Sequence, residues 1–159
     1  MRVLYIAHTS NLAGSNKALL NIVTQMKKKG HVILVITNDV PGALDESLVN
    51  IGVLYKKCRI CQSTWHPANS VFKRIKFNLN NIFREYRSFK DVDKIVKEFK
   101  PDIIHSNVGP LAAGIYASIV NGIPHVWHQR EFVNSYPGLN FFPSFSCFLR
   151  LAHYHNNYN

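Results

Sequence analysis

From Lys100 to Phe132 the chain reads KPDIIHSNVGPLAAGIYASIVNGIPHVWHQREF. That order admits few folds. Pro101 and Asp102 break whatever helix precedes them, and IIH is a short buried strand. Gly109 and Pro110 open an Ala-rich helix, and Asn121 and Gly122 close it. Pro124 starts the next strand, HVWH, which delivers His128, Gln129, Arg130 and Glu131 together at its exit. A strand, a helix and a parallel strand form a βαβ unit, right-handed in nearly all cases. Ligands of open parallel sheets bind in the crevice at the carboxyl ends of the strands. A histidine, an arginine and a carboxylate placed there suit a polar, anionic or hydroxylated ligand.

The N-terminus repeats this grammar. RVLYIAH is an apolar run ending at His8, and the polar loop TSNLAGSN follows. In the next segment Leu19, Leu20, Ile22, Val23 and Met26 recur at helical spacing. Ser15 or Asn16 can cap the start of that helix, and Gly30 stands where a C-terminal cap belongs. HVILVIT is then a second buried strand. The expectation is one α/β domain over residues 1–159, Rossmann-like, with a parallel sheet and helices on both faces. RVLYIA lies at its centre. HVILVIT and then the region from Gly52 to Lys56 lie on one side, DIIH and HVWH on the other.

Together these pieces resemble the N-terminal half of a family-4 glycosyltransferase, the retaining group with the GT-B fold. Arg2 to Thr37 and Lys100 to Phe132 carry the resemblance, and the HQREF exit is its most specific part. The first loop departs from the family pattern. It holds one glycine, Gly14, where adjacent glycines are usual, so the Ser15 and Asn16 backbone N–H groups would meet a phosphate there. The resemblance implies that His128 contacts the acceptor or the reacting sugar and positions hydroxyls, without acting as a nucleophile. His8 and His105 end two other strands on the same side, which places them in one pocket with His128. A structural role, bonded to a neighbouring loop, is the alternative for each. Arg130 offers a planar fork for phosphate or carboxylate, or an ion pair with Glu131 or another surface carboxylate. Ser106, Asn107 and Thr9 are sugar-hydroxyl contacts or turn and cap residues.

The resemblance further implies a sugar transferred from a nucleotide-sugar to a saccharide or lipid-linked acceptor in surface polysaccharide synthesis. It implies no metal and no cofactor, because side chains and a helix N-terminus stabilise the leaving diphosphate. In this fold a second Rossmann-like domain supplies most contacts to the nucleotide-sugar. Since the sequence stops at Asn159, the expectation is an acceptor-side domain with that nucleotide-sugar domain absent, inactive alone. The alternative is a noncatalytic binding domain or a truncated product that acts only with a partner.

Other classes fare worse. The first loop lacks GxGxxG, and no GxxxxGK[ST] occurs, so dehydrogenase and P-loop readings fail. Cys58 and Cys61 form a CRIC motif with no second pair. Zinc needs about four ligands, and His66 is at best a third, so reduced thiols are expected. Cys147 is expected in the core. Nothing approaches the roughly 20 apolar residues of a membrane span. MRVLYIAH enters a strand at once, without a signal-peptide layout, so the expected location is the cytoplasm.

Charge is concentrated. Lys56 to Lys100 holds 12 Lys or Arg against 4 Asp or Glu, a balance of +8 in a chain of +10. Within it Phe72, Ile75, Leu79, Ile82 or Phe83, and Tyr86 form an apolar helical stripe beside Lys73, Arg74, Lys76, Arg84 and Arg87. The plainer expectation packs the stripe on the sheet, with the charges solvated. The other rests this basic amphipathic stretch on an anionic membrane. The two are compatible, and the resemblance favours the membrane, because many family-4 enzymes act on lipid-linked acceptors. Nucleic acid is not expected as a partner, since no zinc finger, RRM or KH pattern is present.

Overall fold

The computed structural model describes residues 1–65, 71–109, 111–129, 140–141, 146–147 and 150. Five strands form one parallel sheet: β1 (Arg2–Ile6), β2 (Val32–Asn38), β3 (Leu54–Cys58), β5 (Ile103–Ser106) and β6 (His125–Trp127). Their order is β3-β2-β1-β5-β6, with β1 central and every pairing parallel. The sheet reverses direction of growth between β1 and β5, as the sequence predicts. The connecting helices are α1 (Gly14–Lys28), α2 (Ala43–Asn50), α3 (Val71–Phe99) and α4 (Ala112–Asn121). A small antiparallel pair joins β4 (Thr64–Trp65) to β7 (Asn140–Phe141).

Alternation along the strands builds a core on each face. Val3, Tyr5 and Ala7 of the first strand, with Ile33 and Val35 of the second, meet Leu19, Val23, Leu44 and Leu48 from α1 and α2. Leu4, Ile6, Leu34 and Ile36 point the other way, to Val92, Ile95 and Val96 of α3 and Ala113 and Ala117 of α4. Each fully buried Leu or Ile contributes about 1.5–3 kcal/mol of transfer free energy, so the two cores fix the register that sets the strand exits.

The helix ends follow the local chemistry. α1 ends at Gly30 with φ +79, where the Gly30 N–H donates to the Lys27 carbonyl and the His31 N–H to that of Met26. That double return satisfies carbonyls left open at the helix end. Its start differs from expectation: Ala13 is the N-cap, and no side chain caps it. Asn16 is instead fully buried, holding the preceding loop together.

The largest departure is in α3. Asn81, Glu85, Ser88, Val92, Ile95 and Val96 form its buried side, whereas Phe72, Ile75, Leu79, Ile82, Phe83 and Tyr86 are exposed. Phe72 is 87% exposed. The stripe does not pack on the sheet, so the plainer expectation is overturned. Only the C-terminal half of α3 reaches the sheet core, through Val92, Ile95 and Val96. Its middle presents polar groups inward, and burial raises the Glu85 carboxyl above its usual range despite a hydrogen bond from Ser63. Among the described residues no helix is long and apolar enough to cross a membrane.

Cys58 and Cys61 are buried free thiols. Burial, aided by the nearby Asp91 charge, pushes Cys58 up to about 12, which leaves almost no thiolate to react. His66 lies outside the described residues. Cys147 is half-buried, not a core residue.

Candidate functional site at the carboxyl edge of the sheet

Three strand exits come together beside the N-terminus of α1. β1 runs on through Ala7, whose N–H donates to the Ile36 carbonyl at 2.9 Å, and then releases the half-buried His8. The Asn38 side-chain amide at the end of β2 donates to the His8 carbonyl at 3.0 Å and fixes it. Burial holds the His8 imidazole below its usual pKa, so the ring is neutral at pH 7 and can accept as well as donate. Its Nδ1 is buried without a hydrogen-bond partner among the described residues.

His105 and His128 share the sheet face that carries α1. His105 pairs with Val126 in register, and His128 continues β6 two residues further. The His128 N–H donates to the Ser106 carbonyl at 2.9 Å. The His105 ring lies 5.0 Å from the Tyr5 ring and 5.7 Å from the His128 ring, centroid to centroid. Burial raises the Tyr5 phenol above its usual pKa, so it stays protonated beside the histidines.

The loop after β1 is pinned to the exit of β5. Asn107 is fully buried, and its amide donates to the Ser15 carbonyl at 3.0 Å. The Asn107 N–H donates to the Ile6 carbonyl, so this residue bridges β1, β5 and α1. Asn16 donates to the Thr9 carbonyl, the Thr9 hydroxyl and the Asn11 carbonyl, at 2.7–3.1 Å. Its Oδ1 is buried without a partner among the described residues. Gly14 opens α1 with clear space around it, since a Cβ there would meet nothing within 4 Å. The Asn16 N–H, expected to meet a phosphate, instead donates to the Ala13 carbonyl at 3.0 Å, so that part of the expectation is corrected: the first turn closes on its own N-cap.

Of the residues expected in the site, His105 and His128 are brought together, and Asn107 at the β5 exit is bonded to Ser15 in the first turn of α1, where Gly14 and Asn16 also lie. His8 adjoins that turn through Thr9. Asn16 and Asn107 spend their amides on protein carbonyls, so their roles are positional. Arg130 and Glu131 lie outside the described residues. Sequence reasoning missed Tyr5, which reads as one more apolar strand residue, and Asn38, whose partner is 30 positions away. It also missed a cavity beyond β2 and β3, walled in part by Arg84 and Arg87 of α3.

A five-stranded parallel sheet of this order, with helices on both faces, is a Rossmann-like domain. The family model described as Glycosyltransferase Family 4 matches residues 12–146, and the chain belongs to that family. A Lactococcus lactis relative, named UDP-N-acetylglucosamine–N-acetylmuramyl-(pentapeptide) pyrophosphoryl-undecaprenol N-acetylglucosamine transferase, is 36% identical over 63 residues. The match covers 39% of this chain and 17% of that protein. Among solved structures, MurG of Acinetobacter baumannii superposes with a TM-score of 0.64 at 18% identity, covering 95% of this chain and 39% of that one. HepE of Anabaena, solved with UDP and glucose, gives 0.57 at 15% identity, covering 99% and 35%. These likenesses show the GT-B half-fold, and the chain spans well under half of each relative's length.

Proposed function

We propose that these 159 residues form the acceptor-side wall of a retaining glycosyltransferase that moves a sugar from a nucleotide-sugar to a saccharide or lipid-linked acceptor in surface polysaccharide synthesis. The observation that carries the reading is the pair His105 and His128 at adjacent strand exits, their rings 5.7 Å apart. His128 binds and orients the acceptor hydroxyl. His8 and His105 line the same wall, with Ser15 at the start of α1 beside them; Arg130 and Glu131 keep the substrate-binding roles that the resemblance implies. The lipid-linked option draws support from the Lactococcus relative, whose name specifies a pyrophosphoryl-undecaprenol acceptor.

Contacts to the nucleotide belong to the facing half of the fold, so the 159 residues by themselves are expected to transfer no sugar. Orientation of two bound reactants removes several kcal/mol of a barrier, and half a cleft orients only one. Incubating the purified chain with UDP-sugars and an acceptor tests this. Product above a no-protein control would refute it.

The reading includes a peripheral site on an anionic, cytoplasm-facing membrane. Its support is the outward apolar side of α3, where Phe72, Ile75, Leu79, Ile82, Phe83 and Tyr86 are exposed alongside the exposed Lys73, Lys76 and Lys90. An apolar stripe edged by cations matches an anionic bilayer in both polarity and charge. Each cation near such a surface is worth about 1 kcal/mol, falling off within a Debye length. The chain is therefore expected to bind phosphatidylglycerol vesicles at low salt and to release them as salt rises. Lys73→Glu/Lys76→Glu is expected to remove most of that binding with the fold intact, since both side chains are exposed. Equal binding to neutral and anionic vesicles would reject the membrane reading.

A further inference from the structure

Beyond the carboxyl ends of β2 and β3 lies a cavity of about 400 Å³, lined by Asn38, Asp39, Val40, Arg59, Arg84 and Arg87 among others. None of these charged groups has a part in the acceptor wall described above. Three guanidinium groups and one carboxylate, that of Asp39, are in its lining. Arg59 is clamped by Asp91 through two bonds of 2.9 and 3.2 Å, which fixes its planar group at the rim. Arg84 and Arg87 make no ion pair among the described residues, and both are exposed. Three residues apart on α3, they project from the same side of a rigid helix, where like charges repel.

Two adjacent guanidinium groups without an ion pair among the described residues, beside a third held in place, form a set of forked donors. Such forks match the paired oxygens of a phosphate. Asn38 ties the cavity to the β1 exit, because it lines the cavity and donates to the His8 carbonyl.

We propose that this cavity binds a phosphate or diphosphate group, with Arg84 and Arg87 as the principal donors and Arg59 as the third. The source assigned to that group, the diphosphate of a lipid-linked acceptor, rests on the glycosyl-transfer reading, whereas the site itself does not.

Isothermal titration of the 159-residue chain with inorganic pyrophosphate at low salt tests the site. Saturable binding is expected, weakened at least tenfold by Arg84→Ala/Arg87→Ala and less than twofold by Lys73→Ala/Lys76→Ala, two exposed cations near the start of the same helix. Equal weakening by both pairs, or no saturable binding to the unaltered chain, overturns the inference. All four side chains altered are exposed, and unchanged far-UV spectra confirm that the variants fold. Neutral vesicles doped with a polyprenyl diphosphate, compared with the same vesicles doped with phosphatidylglycerol, identify the source. Preference for the diphosphate, lost in Arg84→Ala/Arg87→Ala, is expected, and equal binding to the two overturns the lipid-diphosphate assignment. Pyrophosphate binding without any transfer in the assembled enzyme would count against the glycosyl-transfer reading alone. Transfer without pyrophosphate binding would count against this site alone.

Discussion

His128→Ala is expected to lower kcat/KM for sugar transfer about 100-fold, measured with this domain facing a nucleotide-sugar-binding half. Its backbone is held independently of its ring, because the His128 N–H donates to the Ser106 carbonyl within the strand-end pairing. Removing the ring therefore leaves the strand exit in place and deletes only the group proposed to orient the acceptor hydroxyl. Misplacing a reacting group by about 1 Å costs on the order of 10²-fold, equivalent to about 2.7 kcal/mol at 1.36 kcal/mol per decade. The loss should fall on kcat as well as KM, since orientation matters most at the transition state. His128→Asn keeps a donor near the same place and should recover part of the rate. A kcat/KM within threefold of the unaltered enzyme would remove His128 from the site.

The parts of this fold that were legible in the sequence are those where short-range chemistry decides. Buried runs bounded by Pro, Gly and Asn gave four of the parallel strands, the mostly exposed Leu54–Cys58 being expected only as the region from Gly52 to Lys56, and a strand-end position gave His105 and His128 to one edge. α3 misled, because its apolar spacing says that a stripe exists and not which way it faces. There the inward side is set by contacts far away in sequence. Cys61 N–H donates to Ser88 Oγ, and Ser63 Oγ accepts from the Ala112 N–H while bonding Glu85. A helix so anchored turns its polar side in at its middle and leaves Phe72, Phe77 and Phe83 out. Asn16 misled in the same way. A cap and a buried loop brace use the same residue type, and the choice depended on the folded path of Thr9 and Asn11.

Gly114→Val is expected to destabilise the domain by about 3 kcal/mol, more than a hundredfold in the folding equilibrium, read as a lower urea midpoint with an unchanged m-value. A Cβ at this position would lie 2.2 Å from Ser106 Oγ, 3.1 Å from Ile6 Cδ1 and 3.3 Å from His125 Nε2. Ser106 Oγ and His125 Nε2 are hydrogen-bonded at 2.9 Å in the buried layer between α4 and the sheet. Any side chain on Gly114 must push α4 away or rotate Ser106 off its partner. Overpacking costs about 1–3 kcal/mol, and a buried polar group losing its partner costs about 1–3 kcal/mol more. The gain in helix propensity on replacing glycine offsets less than about 1 kcal/mol of this. Gly14→Ala separates packing from propensity, because that helical glycine has nothing within 4 Å of its would-be Cβ. Its stability should change by less than about 0.5 kcal/mol. Ser106→Ala removes the clashing oxygen and should make a Gly114→Ala change less costly than it is alone, a coupling that a double-mutant cycle measures. Additive effects of Gly114→Ala and Ser106→Ala would mean that α4 is not seated on the Ser106–His125 pair. The consequence reaches the site, since Ser106 also anchors His128 through its carbonyl. Lifting α4 off Ser106 would therefore move the β5 and β6 exits that bring His105 and His128 together, and transfer would fall before the domain unfolds.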